Sequence, residues 1–229
     1  MVLCDFFVYF GYAMNNFHKL IIKTKYFFGL SKNVPYIFFI GFNKSGTTSI
    51  HKLFSENGIP SIHWKGGKLA RCCLINAIKG KPLLAGYDRA FRVFSDIAFR
   101  TDKFWFEGNS FFRQLDKDYP NSFFIYNKRD VDDWINSRVN HRGRVGGVSL
   151  LELHKNILNT KENSDVINHW RKVRQRFEDD IRDYFRGSKK FIEIDISDPA
   201  FVEVLSEFIG VHLDPVHWGQ YNVNPNIYR

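Results

Sequence analysis

Cysteine is scarce in this chain of 229 residues, which contains only Cys4, Cys72 and Cys73. An odd number of thiols gives no complete set of pairs, and a bridge between the adjacent Cys72 and Cys73 would be strained. We therefore expect a protein of a reducing compartment without structural disulfides. None of the cysteines has the spacing of a metal-binding motif, so no metal site is predicted.

Long hydrophobic runs are also missing, since a membrane-spanning helix needs about 18 apolar residues in succession. The most apolar stretch, residues 1–33, is interrupted by Asp5 and by Asn15 and Asn16, and it lacks the basic start of a signal peptide. Its second half mixes large apolar residues with lysines. That composition is typical of a segment that packs on its own domain or contacts an anionic membrane surface.

The chain is predicted to consist of two parts. We expect an apolar and basic amino-terminal segment over residues 1–33, with helical potential, followed by a single α/β domain over residues 34–229. The protein is expected in the cytoplasm, either free or peripheral to a membrane through residues 1–33. A hydrophobic share of 44% is enough to fill the core of one such domain.

Acidic side chains are outnumbered, with 24 Asp and Glu against 33 Lys and Arg, for a net charge of +9. The excess favours an anionic ligand but does not distinguish a nucleotide, an acidic glycan, nucleic acid or anionic lipid. The cations at Arg171, Lys172, Arg174 and Arg176 are predicted to form the solvated face of a helix. Nucleic acid is therefore not the expected partner.

The strongest local pattern is an apolar strand followed by a glycine-bracketed loop and a helix. Residues 36–40 are all apolar, as expected for a strand buried on both faces. Gly41 and Gly46 then bracket a polar turn, and Thr47 or Thr48 is the predicted cap of an amphipathic helix. Such a loop directs backbone amides and the positive end of a helix dipole at one point, which binds phosphate.

The spacing of the two glycines is that of a phosphate-binding P-loop, but its lysine is displaced. A nucleotide kinase or NTPase carries the lysine directly after the second glycine, where this chain has Thr47. The lysine here is Lys44, at the opening of the loop. We therefore predict a loop for a 5′-phosphate with a different leaving-group geometry.

Residues 43–49, Asn-Lys-Ser-Gly-Thr-Thr-Ser, resemble the 5′-phosphosulfate loop of sulfotransferases that use 3′-phosphoadenosine 5′-phosphosulfate (PAPS). The resemblance implies that Lys44 contacts the bridging oxygen of the leaving group and acts in catalysis. It also implies that the 5′-phosphate is held by the residues that follow, which are Ser45, Gly46, Thr47, Thr48 and Ser49.

A second motif follows the apolar strand predicted over residues 123–126. In the same family, an arginine at a strand end and a serine eight positions later bind the 3′-phosphate, and Arg129 and Ser137 have that spacing. A guanidinium offers a fork of donors to a phosphate, and a hydroxyl adds a neutral donor. The alternative for Arg129 is a surface ion pair with Asp132 or Asp133.

The sequence offers three candidates for the general base that would take the proton of the acceptor. Asp96 resembles a loop aspartate of related bacterial enzymes, and the distance in sequence from Glu107 to Arg129 approximates that of the family's catalytic histidine. We favour Asp96 slightly over Glu107, with His63 third, although an ordinary surface carboxylate fits both acidic positions equally well. The segment that contains both carboxylates, residues 87–107, is predicted to be mostly loop.

The resemblance implies a three-layer α/β sandwich with a central parallel sheet and a P-loop-like strand-loop-helix. Its implied activity is transfer of a sulfuryl group from PAPS to a hydroxyl or amine of an acceptor, such as a small molecule, a glycan or a glycolipid. The product of the donor is adenosine 3′,5′-bisphosphate. No metal is required, because a sulfuryl group carries less charge than a phosphoryl group.

Two departures from the family leave the base and the adenosine contacts unassigned, and two other classes of protein stay open. The chain lacks the R-K-G motif and the K-T-H segment of many cytosolic members. One alternative is a P-loop nucleotide kinase or NTPase, with Asp195 as the metal-binding carboxylate. The other is a non-catalytic basic protein that binds membrane surfaces, which would account for residues 1–33 but not for the paired phosphate motifs.

Overall fold

The computed structural model describes residues 34–141, 147–219 and 221. The predicted amino-terminal segment, residues 1–33, lies outside the described residues. Its helical potential, its membrane contact and its boundary with the α/β domain therefore stay predictions.

Seven strands occur in the described residues: β1 (Ile37–Phe39), β2 (Ser61–His63), β3 (Val93–Ser95), β4 (Ala98–Arg100), β5 (Trp105–Glu107), β6 (Phe123–Lys128) and β7 (Phe191–Asp195). Five of them form a parallel sheet in the order β2-β3-β1-β6-β7, whereas β4 and β5 form a separate antiparallel hairpin. The central strand β1 thus pairs with β3 on one side and with β6 on the other.

Seven α-helices connect or flank these strands in the described residues: α1 (Thr47–Glu56), α2 (Lys68–Ile78), α3 (Phe112–Asp118), α4 (Val131–Val139), α5 (Leu150–Leu158), α6 (Asn163–Tyr184) and α7 (Phe201–Ile209). Short 3-10 turns lie at Lys65–Gly67, Gly108–Phe111 and Pro215–His217. Within the described part of the chain, no helix combines the length and the apolar composition needed to cross a membrane.

The side chains of β1 separate two hydrophobic cores. Ile37 and Phe39 pack with apolar residues of α1 and α7, while Phe38 packs in a larger core with residues of α2 to α6. Because successive side chains of a strand point to opposite faces, the sheet is the middle of three layers. Each fully buried large apolar side chain contributes about 1.5–3 kcal/mol. The predicted α/β fold with a central parallel sheet is confirmed.

The segment 87–107, predicted to be mostly loop, has more residues outside strands than in them, but it also contains three strands that the prediction missed. β3 lies inside the sheet between β1 and β2, and β4 and β5 form the hairpin. Each of these strands has only three residues, too few to show an alternating pattern, and the charged Arg92 and Asp96 flank β3. Pairing with β1, rather than local sequence, therefore determines this strand.

Candidate active site at the carboxyl edge of the sheet

Four strands of the sheet end at one edge, and each carries a residue singled out in the sequence. The loop with Lys44 follows β1, His63 ends β2, Asp96 directly follows β3 and Arg129 directly follows β6. Because the strands are parallel, their carboxyl ends meet at this edge, which is where open α/β sheets bind ligands. The fold therefore gathers residues that are up to 85 positions apart in sequence.

Asn127 holds the glycine-bracketed loop against β6. Its Nδ2 donates to the carbonyl oxygen of Ser45 at 2.6 Å, and its Oδ1 accepts from the amide of Gly41 at 2.9 Å. A Cβ atom at position 41 would lie 2.4 Å from Asn127 Oδ1, so the close approach requires glycine. Sequence reasoning missed Asn127. Its signal was an amide inside a buried strand, where it has to find hydrogen-bond partners.

The loop ends in an uncapped helix. Lys44 and Gly46 adopt left-handed φ values of 71° and 74°. Helix α1 begins at Thr47, its N-cap residue is Gly46, and no side chain of the described residues caps it. The prediction that Thr47 or Thr48 is the cap was therefore wrong, because the left-handed turn before the helix favours glycine. Uncapped first-turn amides together with the helix dipole form an anion-binding site.

The hydroxyl residues predicted to hold a 5′-phosphate differ in exposure. Ser45, Thr47 and Ser49 are 4%, 5% and 6% exposed, whereas Thr48 is half-buried. The Oγ1 of Thr48 lies 3.4 Å from Nε2 of His63. Thr48 therefore connects the first turn of α1 to the tip of β2.

Lys44 and Arg129 lie next to each other. Nη1 of Arg129 donates to the carbonyl oxygen of Lys44 at 2.9 Å. Burial lowers the pKa of Lys44, and the positive charge of Arg129 lowers it further. Asp132, a predicted alternative partner of Arg129, instead pairs with Arg171. Two neighbouring cations close in sequence to an uncapped helix N-terminus are an arrangement that can attract an anion.

Ser137 lies on α4, between two residues that contact the loop. Asp130 caps this helix by accepting hydrogen bonds from two first-turn amides. On either side of Ser137 in sequence, Trp134 Nε1 donates to the carbonyl oxygen of Asn43 at 3.0 Å and Arg138 Nη1 donates to Asn43 Oδ1 at 2.8 Å. Ser137 itself is half-buried. Its role toward a 3′-phosphate stays a prediction.

Asp96 is a carboxyl group whose surroundings oppose its ionisation. Burial, followed by the negative charge of Glu107, raises the pKa of Asp96 to about 7, although Lys44 and Arg138 act in the opposite direction. Its Oδ2 lies 3.7 Å from Nε2 of His63. Burial lowers the pKa of His63 to about 4. Near pH 7, His63 is therefore neutral and Asp96 is suited to accept and release a proton.

Glu107, the other acidic candidate, is engaged by a buried cation. Nη1 of Arg138 lies 3.2 Å from Glu107 Oε1, and the two side chains are 2% and 13% exposed. A cavity of about 10 Å³, room for about one water molecule, is lined by Asp96, Glu107, Asn43 and Asn109. The two carboxyl groups thus border the same small polar space but have different partners.

His141 and Arg100 were not predicted as site residues. His141 follows α4, and burial, then the charges of Lys44, Arg100 and Arg138, lower its pKa to about 4. Arg100 ends β4 and donates to the carbonyl oxygen of Val148 at 3.4 Å. No spacing rule in the sequence points to either residue, since the fold alone brings the charges of Lys44 and Arg100 close to His141.

Arg174 does not belong to a solvated face, so that part of the prediction was wrong. Arg174 is 5% exposed; its Nη2 donates to the carbonyl oxygen of Arg129 at 2.7 Å and its Nε to Glu178 Oε1 at 2.7 Å. Trp170, Arg174, Glu178 and Ile181 recur at helical spacing and are all buried. The signal was therefore an ion pair of opposite charges four residues apart inside an apolar stripe.

Two of the three cysteines lie in the described ranges. Cys72 and Cys73 are free thiols there, and Cys4 lies outside the described residues. In the same ranges, no group of three or more His, Cys, Asp or Glu side chains is arranged to hold a metal ion.

Comparison with known proteins gives one informative match. A family profile described as "Sulfotransferase domain" matches residues 36–222. A comparison with curated protein sequences finds no match. Among solved structures, a gluconokinase from Sinorhizobium meliloti 1021 aligns over 77% of this chain and 90% of its own, with 15% identity and a TM-score of 0.37. A score that low carries no argument about fold or activity.

Proposed function

This chain belongs to the sulfotransferase family, and from that premise we propose that it transfers a sulfuryl group from PAPS to a hydroxyl or amine of an acceptor. The observation that carries the proposal is the contact between Arg129 and Lys44 beside the uncapped start of α1. PAPS carries one phosphate at the 3′ position and one at the 5′ position of its ribose, so it would offer an anion to each cation. Its binding would relieve the repulsion between Lys44 and Arg129.

The residues at the carboxyl edge fit this donor. Lys44 and the five residues after it would hold the 5′-phosphosulfate through an ammonium, hydroxyls and backbone amides. Arg129 and Ser137 would hold the 3′-phosphate. PAPS supplies the activated sulfuryl group, and its product after transfer is adenosine 3′,5′-bisphosphate.

The transfer exchanges one bond to sulfur for another. The acceptor oxygen or nitrogen forms a bond to sulfur while the bond from sulfur to the bridging oxygen breaks. Asp96, as the ionised carboxylate, takes the proton of the acceptor, and Lys44 neutralises the charge that develops on the leaving phosphate. Glu107 is the second candidate for the base and His63 the third. No metal is needed, because the sulfuryl group has less charge to neutralise than a phosphoryl group.

Thermal denaturation with three ligands tests the proposal. Adenosine 3′,5′-bisphosphate at about 100 times its dissociation constant should stabilise the protein by about 2.7 kcal/mol, which is readily measured as a rise in Tm. ATP with magnesium, and anionic lipid vesicles, should give smaller shifts. The comparison uses the full chain at one protein and salt concentration, because both affect the apparent Tm.

The same measurement distinguishes the alternatives. A larger shift with ATP and magnesium would favour a P-loop kinase or NTPase. For that class, Asp195 was the metal-binding candidate, but its Oδ1 accepts from the amide and the hydroxyl of Ser197 at 2.9 and 2.6 Å in a local turn. A shift with vesicles alone would favour a membrane-surface protein, for which residues 1–33 are the candidate contact.

Arg129→Ala should mainly weaken nucleotide binding. We expect a loss of about 1.5–3 kcal/mol in affinity for adenosine 3′,5′-bisphosphate, the range for a hydrogen bond to a charged group, with a smaller effect on kcat. Isothermal titration measures the affinity. Lys128→Ala is the matched control, because it removes the neighbouring cation, which pairs with Glu193. Equal affinity of Arg129→Ala and the wild type would remove this role.

The acceptor is proposed as a class only: a small molecule, glycan or lipid that carries a hydroxyl or amine. Turnover of an acceptor panel with radiolabelled PAPS identifies it. Nucleic acid is not a proposed partner, because two of the four α6 cations are engaged within the protein: Arg174 is buried and Arg171 pairs with Asp132.

A further inference from the structure

Two pairs of tryptophan and arginine at the same spacing lie on neighbouring helices. Trp134 and Arg138 are one turn apart on α4, and Trp170 and Arg174 are one turn apart on α6. The guanidinium carbon of Arg138 lies 4.8 Å from the ring centre of Trp134 and 4.7 Å from that of Trp170. The guanidinium carbon of Arg174 lies 5.1 Å from the ring centre of Trp134. We call these four residues the indole–guanidinium cluster. In it, Trp170 contacts Arg138, Arg138 contacts Trp134, and Trp134 contacts Arg174.

Each arginine of the cluster donates a hydrogen bond to a residue that follows a different strand of the sheet. Arg138 donates to the side chain of Asn43 at 2.8 Å, and Trp134 donates to the carbonyl oxygen of the same residue at 3.0 Å. Asn43 directly precedes Lys44. At the other end, Arg174 donates to the carbonyl oxygen of Arg129 at 2.7 Å. The cluster therefore connects the loop after β1 with the tip of β6 through side chains alone.

The burial of two guanidinium groups is costly for stability. Arg138 and Arg174 are 1% and 5% exposed, and their nearest carboxylates are Glu107 and Glu178. Arg138 Nε and Arg174 Nη1 also have no hydrogen-bond acceptor among the described residues. Contact with indole rings offsets part of this cost. Apolar residues of similar volume often match or exceed a buried ion pair in stability, so stability alone does not explain the cluster.

We propose that the indole–guanidinium cluster sets the separation of the two phosphate-binding tips, with Arg138 and Arg174 as positioning residues. The identity of the ligand in this inference rests on the proposed function. A ligand that binds two anchors at once gains affinity only when the anchors are correctly spaced. Loosening either arginine should therefore weaken a nucleotide with two phosphates more than a nucleotide with one.

The first test needs no nucleotide. Amide hydrogen exchange is measured on the full chain for Arg138→Met, Arg174→Met and the control Arg176→Met, which changes an exposed arginine on α6. Exchange should rise in residues 41–46 for the first variant and in residues 127–131 for the second, and in neither for the control. If a methionine variant does not fold, the lysine variant at that position replaces it, because lysine keeps the charge but not the planar fork. Unchanged exchange in both segments would overturn the proposal.

The second test compares adenosine 3′,5′-bisphosphate with adenosine 5′-monophosphate and adenosine 3′-monophosphate by titration. Affinity for the bisphosphate should fall about tenfold in each variant, while affinity for the monophosphates stays within about threefold. An equal loss for all three nucleotides would indicate general damage and would overturn the spacing role. A wild type that does not prefer the bisphosphate would instead refute the proposed donor, and hydrogen exchange alone would then decide whether the cluster positions the tips.

Discussion

Replacing Lys44 with alanine is expected to lower kcat by about 10²–10³-fold or more, because it removes a charge that acts on the leaving group in the transition state. Affinity for adenosine 3′,5′-bisphosphate should fall far less, since the loop amides and Arg129 remain. Single-turnover rates with radiolabelled PAPS and an acceptor found by screening measure the first effect. Titration with the bisphosphate measures the second.

The backbone at Lys44 allows a second variant that separates charge from strain. With a φ of 71°, this position is more favourable for glycine than for any residue with a Cβ. Lys44→Gly should therefore be at least as stable as the wild type and yet as slow as Lys44→Ala. Lys52→Ala, an exposed position on α1, is the matched control. A charge that stabilises the transition state contributes much more than about threefold to the rate. The catalytic role would therefore be contradicted if both Lys44 variants kept rates within about threefold of the wild type.

Asp96→Asn should lower kcat by about 10²–10⁴-fold, the usual contribution of a general base. Asparagine keeps the shape of the side chain and tolerates the left-handed φ of 51° at this position. In the wild type, kcat/KM should rise with pH through about 7, where the buried carboxyl group ionises. This pH dependence should disappear in Asp96→Asn.

Stability gives an independent readout of the same group. The folded-state pKa of Asp96 is about 7, above its ordinary value of 3.8, so the folded state binds the proton more tightly than the unfolded state. The wild type should therefore lose stability as pH rises from about 4 to about 7, and keep that loss at higher pH. The Tm advantage of Asp96→Asn should be larger at alkaline than at acidic pH.

Glu107→Gln is the matched control for the base. Because the charge of Glu107 raises the pKa of Asp96, its removal should move the rise in kcat/KM to lower pH without abolishing it. A pH profile that persists in Asp96→Asn and disappears in Glu107→Gln would assign the base to Glu107 instead.

The positions of Lys44 and Arg129 were predictable because each depends on local sequence. Each follows an apolar strand within a few residues, so that a short stretch carries the strand, the turn and the charged side chain. The parallel arrangement of the strands then brings their ends together. Sequence reasoning could therefore place these residues at one edge, but it could not give their contact with each other.

The supporting residues were not predictable in the same way. Asn127, Arg138 and Arg174 are polar side chains whose roles depend on burial by partners more than 30 positions away in sequence. Local patterns treat such residues as surface positions. The strand β3 was missed for a related reason, since its pairing with β1 outweighs a local sequence that is too short to be read.

The pairing of β1 with β6 has a consequence for synthesis of the chain. Ile37 is aligned with Phe123, so the strand that leads to Lys44 completes its hydrogen bonding only after β6 has been made. Pairing of segments this far apart is slow, because a long loop has to close first. A nascent chain that ends before Arg129 carries one cation of the pair, so the site proposed above for a doubly phosphorylated nucleotide would be complete only in the second half of translation.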